Sequence, residues 1–250
     1  MSAEESLWRP ATELSALAAR EVHVWRASLD LPAPRLQTLK QTLAREERAR
    51  AERFRFDSHR ARFIASRGIL RDILGRYLGS EPRSLRFAYN GYEKPFLVDE
   101  TEDGPIFFNV THSQDMALYA FTRLGDIGID VEQMTTEAKD YEDIAAAFFS
   151  VAEVEQLRAV PEAARQEAFL NGWTRKEAYI KARGMGLSLT LDQFDVALTP
   201  GVPAALLATR EADQGPSWWS LRALDAGPGF IAALAVRGQP SAIRCWQWPA

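Results

Sequence analysis

Asp126-Ile127-Gly128-Ile129-Asp130-Val131-Glu132 is the stretch on which the fold turns. Its apolar residues alternate with Gly128, Asp130 and Glu132, the period of a strand with one apolar face; side chains two apart share a face at about 6.6–7 Å. Ile127, Ile129 and Val131 therefore enter a core, and Asp130 and Glu132 project together from the other face. An Asp-x-Glu pair on a strand is usually just solvated surface. Here the apolar frame anchors the strand and presents both carboxylates, the kind of hard oxygen ligands that Mg²⁺ takes together with substrate phosphates and water.

Further on, Phe169-Leu170-Asn171-Gly172-Trp173-Thr174-Arg175-Lys176-Glu177-Ala178-Tyr179-Ile180-Lys181 reads as a helix. Trp173, Glu177 and Lys181 fall at i, i+4 and i+8 along one slowly drifting row. Glu177 can thus join the acidic pair, with Lys181 as a cation beside it. The plainer alternative is an exposed Glu177–Lys181 pair worth a few tenths of a kcal/mol. Against it, Phe169, Trp173 and Ile180 form an apolar stripe near the same face, which sets the pair at the edge of a core. Thr111, His112 and Ser113 sit at the end of another expected strand, where hydroxyls and an imidazole can donate to phosphate oxygens. Arg50 and Arg62 lie on basic helices, and Lys94 stands in a loop beside Pro95. No Gly-rich phosphate loop of the Walker type and no Ser-His-Asp set with credible partners is present.

Around these motifs the periodicity predicts a strand at Glu21–Ala27, one helix over Leu36–Phe54 and another from about Ser58 to Leu78, ended by Gly79. A short strand at Leu85–Tyr89 leads through an Asn90-Gly91 turn into a loop over Tyr92–Phe96. Ile106–Thr111 and Met116–Thr122 read as a hairpin with its tip at His112–Asp115. After the carboxylate strand come helices at about 140–149, 151–159 and 162–183, then strands near 193–198, 219–224 and 230–236. The expected class is α+β, with two pseudo-symmetric halves, residues 1–124 and 125–250, meeting at Arg123–Asp126 and holding a site between them.

The 250-residue chain is 46% hydrophobic and 26% charged, enough for a large core. Its N-terminus, Met-Ser-Ala-Glu-Glu-Ser, lacks the basic start and apolar core of a signal peptide, and its longest apolar runs, such as Phe230–Val236, are too short to span a bilayer; a cytoplasmic protein is expected. Cys245 is the only cysteine and His23, His59 and His112 are widely separated, a poor basis for a zinc enzyme. The net charge of −4 hides an asymmetry: Arg35–Arg86 carries 14 basic and 6 acidic residues, and the remainder 16 basic and 28 acidic. A basic segment facing an acidic remainder suits a small polyanion held against a metal-binding cluster more than a nucleic acid, although a solvated Arg-rich helix partly neutralised by Glu46, Glu47 and Glu52 reads equally well. Ile144, Phe148 and Phe149, within Met134–Phe149, offer apolar contact to a partner helix or, for the two aromatics, additional core.

With these motifs in order, the chain resembles the 4′-phosphopantetheinyl transferases of the surfactin-synthetase-activating type. The resemblance rests on Phe108-Asn109-Val110-Thr111-His112-Ser113, on Ile127–Glu132, on Trp173–Lys181 and on Gly184-Met185-Gly186-Leu187-Ser188-Leu189, with weaker similarity around Arg50–Arg71 and Tyr92–Pro95. It implies a pseudo-dimer of two α+β halves with coenzyme A in the cleft between them. It also implies Mg²⁺ held by Asp130, Glu132 and Glu177, and cofactor phosphates near Arg50, Arg62, His112 and Lys181. Tyr92, Lys94 and Thr111 would surround the adenosine. The implied reaction moves the 4′-phosphopantetheine arm onto a serine of an apo acyl or peptidyl carrier protein and releases 3′,5′-ADP, with Glu177 and Lys181 as the catalytic pair. The carrier is expected to dock near Met134–Phe149, and the enzyme to be a monomer that binds no nucleic acid. Where relatives commonly read Tyr-Gly-Lys-Pro, this chain reads Tyr92-Glu93-Lys94-Pro95. Rival readings are a Mg²⁺-dependent phosphodiester hydrolase and a non-catalytic binder of coenzyme A or carrier protein.

Overall fold

In the computed structural model, which describes residues 8–11, 15–98, 103–135, 140–212 and 214–249, two sheets pack face to face and each is backed by helices. The sequence-derived expectations for Met1–Ser6 and for residues 136–139 lie outside the described residues. The first sheet contains β1 (Arg9–Pro10), β2 (Glu21–Ser28), β5 (Phe107–Ser113), β6 (Met116–Thr122) and β12 (Ala242–Gln247), in the order β1-β12-β2-β6-β5. The second has the order β10-β11-β7, from β7 (Ile127–Gln133), β10 (Trp219–Leu224) and β11 (Phe230–Arg237), all antiparallel.

Strand alternation explains the layering. Ile127, Ile129 and Val131 are fully buried against Val22, Val24, Leu118 and Ala120 of the first sheet, so the apolar face of β7 glues the two sheets together. Each such side chain contributes roughly 1.5–3 kcal/mol by leaving water. The opposite face of the second sheet packs on α6 (Glu162–Arg183), where Ala178, Tyr179 and Ala182 meet Ala233 and Ala235 of β11. On the far side of the first sheet, α1 (Ala33–Thr42) and α3 (Asp57–Leu78) cover Trp25, Tyr119, Phe121 and Trp246. Gly79 ends α3 and Gly184 ends α6, both left-handed at φ 59° and 64°, the conformation glycine adopts without a Cβ penalty.

Several elements differ from the sequence-based expectation. The single helix expected over Leu36–Phe54 is two, α1 and α2 (Arg45–Glu52), because the chain turns extended at Leu43 and Ala44. Leu43 is fully buried there, and the Glu47 carboxylate accepts the Ala44 N–H and pairs with Arg67 and Arg71 of α3. Tertiary contacts override a sequence with no local breaker. The loop expected over Tyr92–Phe96 contains β4 (Pro95–Leu97), which pairs with β3 (Phe87–Tyr89) as a short hairpin. His112 and Ser113, expected in a hairpin tip, remain in β5, opposite Ala117 and Met116. Strands β1, β9 (Leu206–Thr209) and β12 were not foreseen; β9 pairs with β8 (Phe194–Val196), and β12 returns to lie parallel between β1 and β2, so the last strand of the chain completes the first half's sheet. The helices after β7 are α4 (Tyr141–Phe148) and α5 (Val151–Ala159). No helix among the described residues is long and apolar enough to cross a membrane.

Candidate active site

The alternation of β5 decides what meets β7. Phe108 enters the first core beside partly buried Val110, whereas Asn109, Thr111 and Ser113, two residues apart, turn their side chains to β7. Asn109 accepts the Ile129 N–H at 2.9 Å. The Thr111 hydroxyl donates to Asp130 Oδ1 and the Ser113 hydroxyl to Glu132 Oε2, both at 3.0 Å, and Ser113 Oγ accepts the Gln133 N–H. Two hydroxyls of the first half thus orient the two carboxylates of the second, and Asn109 fixes the β7 backbone beside them. The sequence reading aimed Thr111 and Ser113 at a ligand; in the structure both hydroxyls are engaged by the acids. The polar period-two run Asn109-x-Thr111-x-Ser113, inside an otherwise apolar strand, was the available signal.

Lys181 reaches across from α6. Its ammonium lies 2.5 Å from Asp130 Oδ1 and 3.3 Å from Thr111 Oγ1, so Lys181 pairs directly with Asp130 while its charge also acts on the helical i−4 residue Glu177. Asp130 is almost wholly buried, and its Oδ2, also buried, has no hydrogen-bond partner in the protein. Burial drives the Asp130 carboxyl above its ordinary range against the opposing pull of Lys181. Burial likewise raises Glu132, with Asp130 adding to the effect. Glu177 is raised by burial against the opposing pull of Lys181, with the charges of Asp130 and Glu132 adding to the rise, so the three acids stand close enough to repel one another.

That arrangement calls for positive charge beyond what Lys181 supplies. Among the described residues no three His, Cys, Asp or Glu side chains are drawn to metal-ligand spacing. The donor chemistry nevertheless fits a hard divalent cation: two oxygen-bearing side chains from one strand, a third from a helix, and among them the buried, unpartnered Asp130 Oδ2.

The expected cofactor residues separate into two groups. His112 leaves β5 on the side of α3; the protein packed around its ring, then Lys181 and Arg62, hold it below the ordinary histidine value. Arg62, His112 and Lys181 are therefore electrostatic neighbours. Arg50 is exposed on α2, its guanidinium 5.3 Å from the Phe63 ring. Tyr92 is exposed, whereas the Lys94 ammonium is turned inward onto the carbonyls of Ile127 (3.0 Å) and Ala182 (3.1 Å). Asn90 Nδ2 donates to Gly184 O at 2.9 Å. The 90–94 loop is thus pinned to the start of β7 and the end of α6, and Glu93 within it has a positive φ of 64°. At the other end of the site, Ile144 and Phe148 are exposed on α4, while Phe149 is buried and stacked on Phe169 at 5.5 Å. Of the two phenylalanines in the expected docking segment, Phe148 is surface and Phe149 is core.

Comparison with known proteins places two family models side by side on the chain. Residues 25–123 match "4′-phosphopantetheinyl transferase, N-terminal" and residues 126–235 match the "4′-phosphopantetheinyl transferase superfamily". The two matches meet at the junction between β6 and β7, and with the α+β architecture of both halves they fit a pseudo-dimer. The chain is 42% identical to the 4′-phosphopantetheinyl transferase HetI of Nostoc sp. (strain PCC 7120), across 96% of this chain and 98% of that protein. It is 32% identical to the 4′-phosphopantetheinyl transferase Sfp of Bacillus subtilis (strain 168) across 76% of this chain and 80% of that one. With the 4′-phosphopantetheinyl transferase psf-1 of Bacillus pumilus it shares 34% identity, covering 81% and 82%.

Proposed function

We propose a division of labour among the residues of this chain, which belongs to the 4′-phosphopantetheinyl transferase superfamily. It is an enzyme of that class and transfers phosphopantetheine from coenzyme A to a carrier protein. Coenzyme A binds in the cleft between the half built on residues 1–124 and the half built on residues 125–250, the latter lending β12 to the former's sheet. Asp130, Glu132 and Glu177 hold Mg²⁺ there. The observation that carries this reading is the Asp130 carboxylate: Oδ1 is shared by Lys181 and Thr111, and Oδ2 is buried without a protein partner.

The reaction is a phosphoryl transfer, in which positioning and charge neutralisation dominate. The serine hydroxyl of the carrier attacks the phosphorus that bears the pantetheine arm; a P–O bond forms to the serine, the P–O bond to the second phosphate breaks, and 3′,5′-ADP leaves. Glu177, the acid nearest the carrier side of the metal cluster on α6, takes the serine proton. Lys181 neutralises charge on the pyrophosphate as the bond breaks. Bound Mg²⁺ supplies further neutralisation of the same charge. Arg62 and His112 receive phosphate groups, with Arg50 at the outer edge, and Tyr92, Lys94 and Thr111 lie on the adenosine side. Because its ammonium is held by backbone carbonyls, Lys94 contributes there by fixing the loop. The carrier docks on α4 through Ile144 and Phe148, and the enzyme works as a cytoplasmic monomer.

Incubation with coenzyme A, Mg²⁺ and an apo-carrier, read by intact mass, tests the assignment. A carrier heavier by one phosphopantetheine is expected, and lost in the Glu177→Ala variant; coenzyme A hydrolysis without carrier modification, or binding without turnover, overturns the reading.

A further inference from the structure

Lys176 and Glu153 form an ion pair that is almost wholly buried and has every partner it needs. The Lys176 ammonium meets Glu153 Oε2, Leu191 O and Phe194 O, each at 2.6 Å, and lies 4.5 Å from the Phe194 ring centre. Glu153 Oε1 accepts the Val196 N–H at 2.8 Å, and Oε2 accepts the Ser150 N–H at 3.0 Å. Ser150 in turn caps α5 by accepting the Glu153 N–H at 3.2 Å. The neighbouring Arg175 donates to Ala197 O. Two consecutive cations of α6 are therefore tied to the 191–197 segment.

Such a pair adds little net stability over well-packed apolar residues, yet it is expensive to break, so its value lies in registry. A slide of α6 by one residue, about 1.5 Å, or a turn of about 100° would strip an interior ammonium of three oxygen partners. Glu177 is the next residue, and Lys181 follows just over one turn later. Whatever fixes Lys176 from behind fixes both of them over Asp130 and Glu132 in front. The other end of the pair holds the chain where α4 passes into α5, immediately after the exposed Phe148.

We propose that the Glu153–Lys176 pair is a positioning device for the reaction, holding Glu177 and Lys181 in register with the acids of β7 and tying that register to the α4 docking face. The proposal rests on the assignment of Glu177 above. In Lys176→Met, kcat is expected to fall by about tenfold or more while KM for coenzyme A stays within about twofold, since misplacement near 1 Å can cost on the order of a hundredfold in rate. Hydrogen exchange should accelerate together in residues 141–149 and 172–183 and stay unchanged in β2. Unchanged kcat, or a loss of coenzyme A affinity as large as the loss in kcat, overturns the proposal. Should Lys176→Met not fold, Glu153→Gln decides, because the glutamine oxygen can still accept the Ser150 N–H while the charge and the acceptor facing Val196 N–H are lost: a kcat about threefold lower, with KM for coenzyme A retained, supports the device and an unchanged kcat refutes it. Glu177→Gln is run alongside. If it is fully active, the base assignment fails; if it is dead while Lys176→Met is fully active, only the positioning role fails.

Discussion

Gly128 and Ala178 touch backbone to backbone: a Cβ placed on Gly128 would fall well inside the van der Waals radii of Ala178 O and Ala182 N. The strand that carries Asp130 thus lies directly on the helix that carries Glu177 and Lys181. Only this close approach lets Lys181 reach Asp130 at 2.5 Å. Gly128→Ala forces β7 and α6 apart, because the clashing atoms are backbone and have no rotamer to change. Destabilisation at or above about 3 kcal/mol is expected, the upper range of overpacking costs, with activity lost in whatever protein folds. A urea midpoint within error of the wild type disproves the close approach.

Asp130 is the second point of leverage. With Oδ2 unpartnered in the protein and the carboxyl raised by burial, the apo site is short of positive charge. Adding Mg²⁺ together with coenzyme A should raise the melting temperature beyond coenzyme A alone. The linkage is RT ln(1 + [L]/Kd), about 2.7 kcal/mol at a hundredfold excess over Kd. Asp130→Asn should abolish the Mg²⁺-dependent increment, and chelation should abolish turnover in the wild type. Equal increments in both proteins would remove Asp130 from the metal site.

For Glu177, chemistry and stability should separate. Its charged form is disfavoured in the fold by burial, Asp130 and Glu132 together by more than Lys181 favours it, so Glu177→Gln leaves stability equal or slightly higher. Transfer should nevertheless drop by about 10²–10⁴, the range for a lost general base. Calorimetry and steady-state transfer on the same preparation provide the check; a parallel fall in both marks Glu177 as structural.

What the sequence disclosed follows from which interactions are local. The period-two run of β7 placed Ile127, Ile129 and Val131 inward and the acids outward, and the structure agrees. The 3.6-residue period gave α3 and α6 almost to the residue, because each is a long apolar-faced helix stopped by a left-handed glycine. The break at Leu43–Ala44 escaped because Glu47, which caps Ala44, is held in place by Arg67 and Arg71, 20 and 24 residues further on. The insertion of β12 beside β2 joins residues more than two hundred apart and leaves no local mark. In the site, the identities of the acids and Lys181 were legible as motifs. That Lys181 serves Asp130, and that Lys94 is turned inward, depended on tertiary geometry.

Glu93 stores backbone strain that can be released. Its φ of 64° lies in the left-handed region, about 1–2 kcal/mol uphill for an L residue. The turn is imposed by Asn90, whose side-chain oxygen accepts the N–H groups of Tyr92 and Lys94, both at 2.9 Å. Glu93→Gly removes the strain but makes the unfolded chain freer, an opposing cost of roughly 0.5–1 kcal/mol. A net gain of up to about 1 kcal/mol is expected, read as a higher urea midpoint at unchanged slope. A lower midpoint shows that the Glu93 side chain holds the loop.

Lys94 gives the hinge of that loop a pH dependence of unusual sign. Burial lowers its ammonium from the ordinary 10.5 to about 8, only partly opposed by Asp126. Below about pH 8 both folded and unfolded chains hold the proton, and the folded chain bears the full cost of a desolvated charge. Between about 8 and 10.5 the folded lysine is neutral while the unfolded one remains protonated; the unfolded state then binds more protons, and this group makes stability rise with pH. The neutral amine keeps two N–H bonds for the carbonyls of Ile127 and Ala182, so the contact survives the loss of charge. Lys94→Met lacks both the contact and the titration. The stability of the wild type relative to Lys94→Met, taken from urea midpoints at pH 7 and pH 9.5, should therefore shift in favour of the wild type at the higher pH. A difference that stays constant or moves the other way means that the Lys94 ammonium is solvated, and that the 90–94 loop is not held to β7 and α6 by this residue.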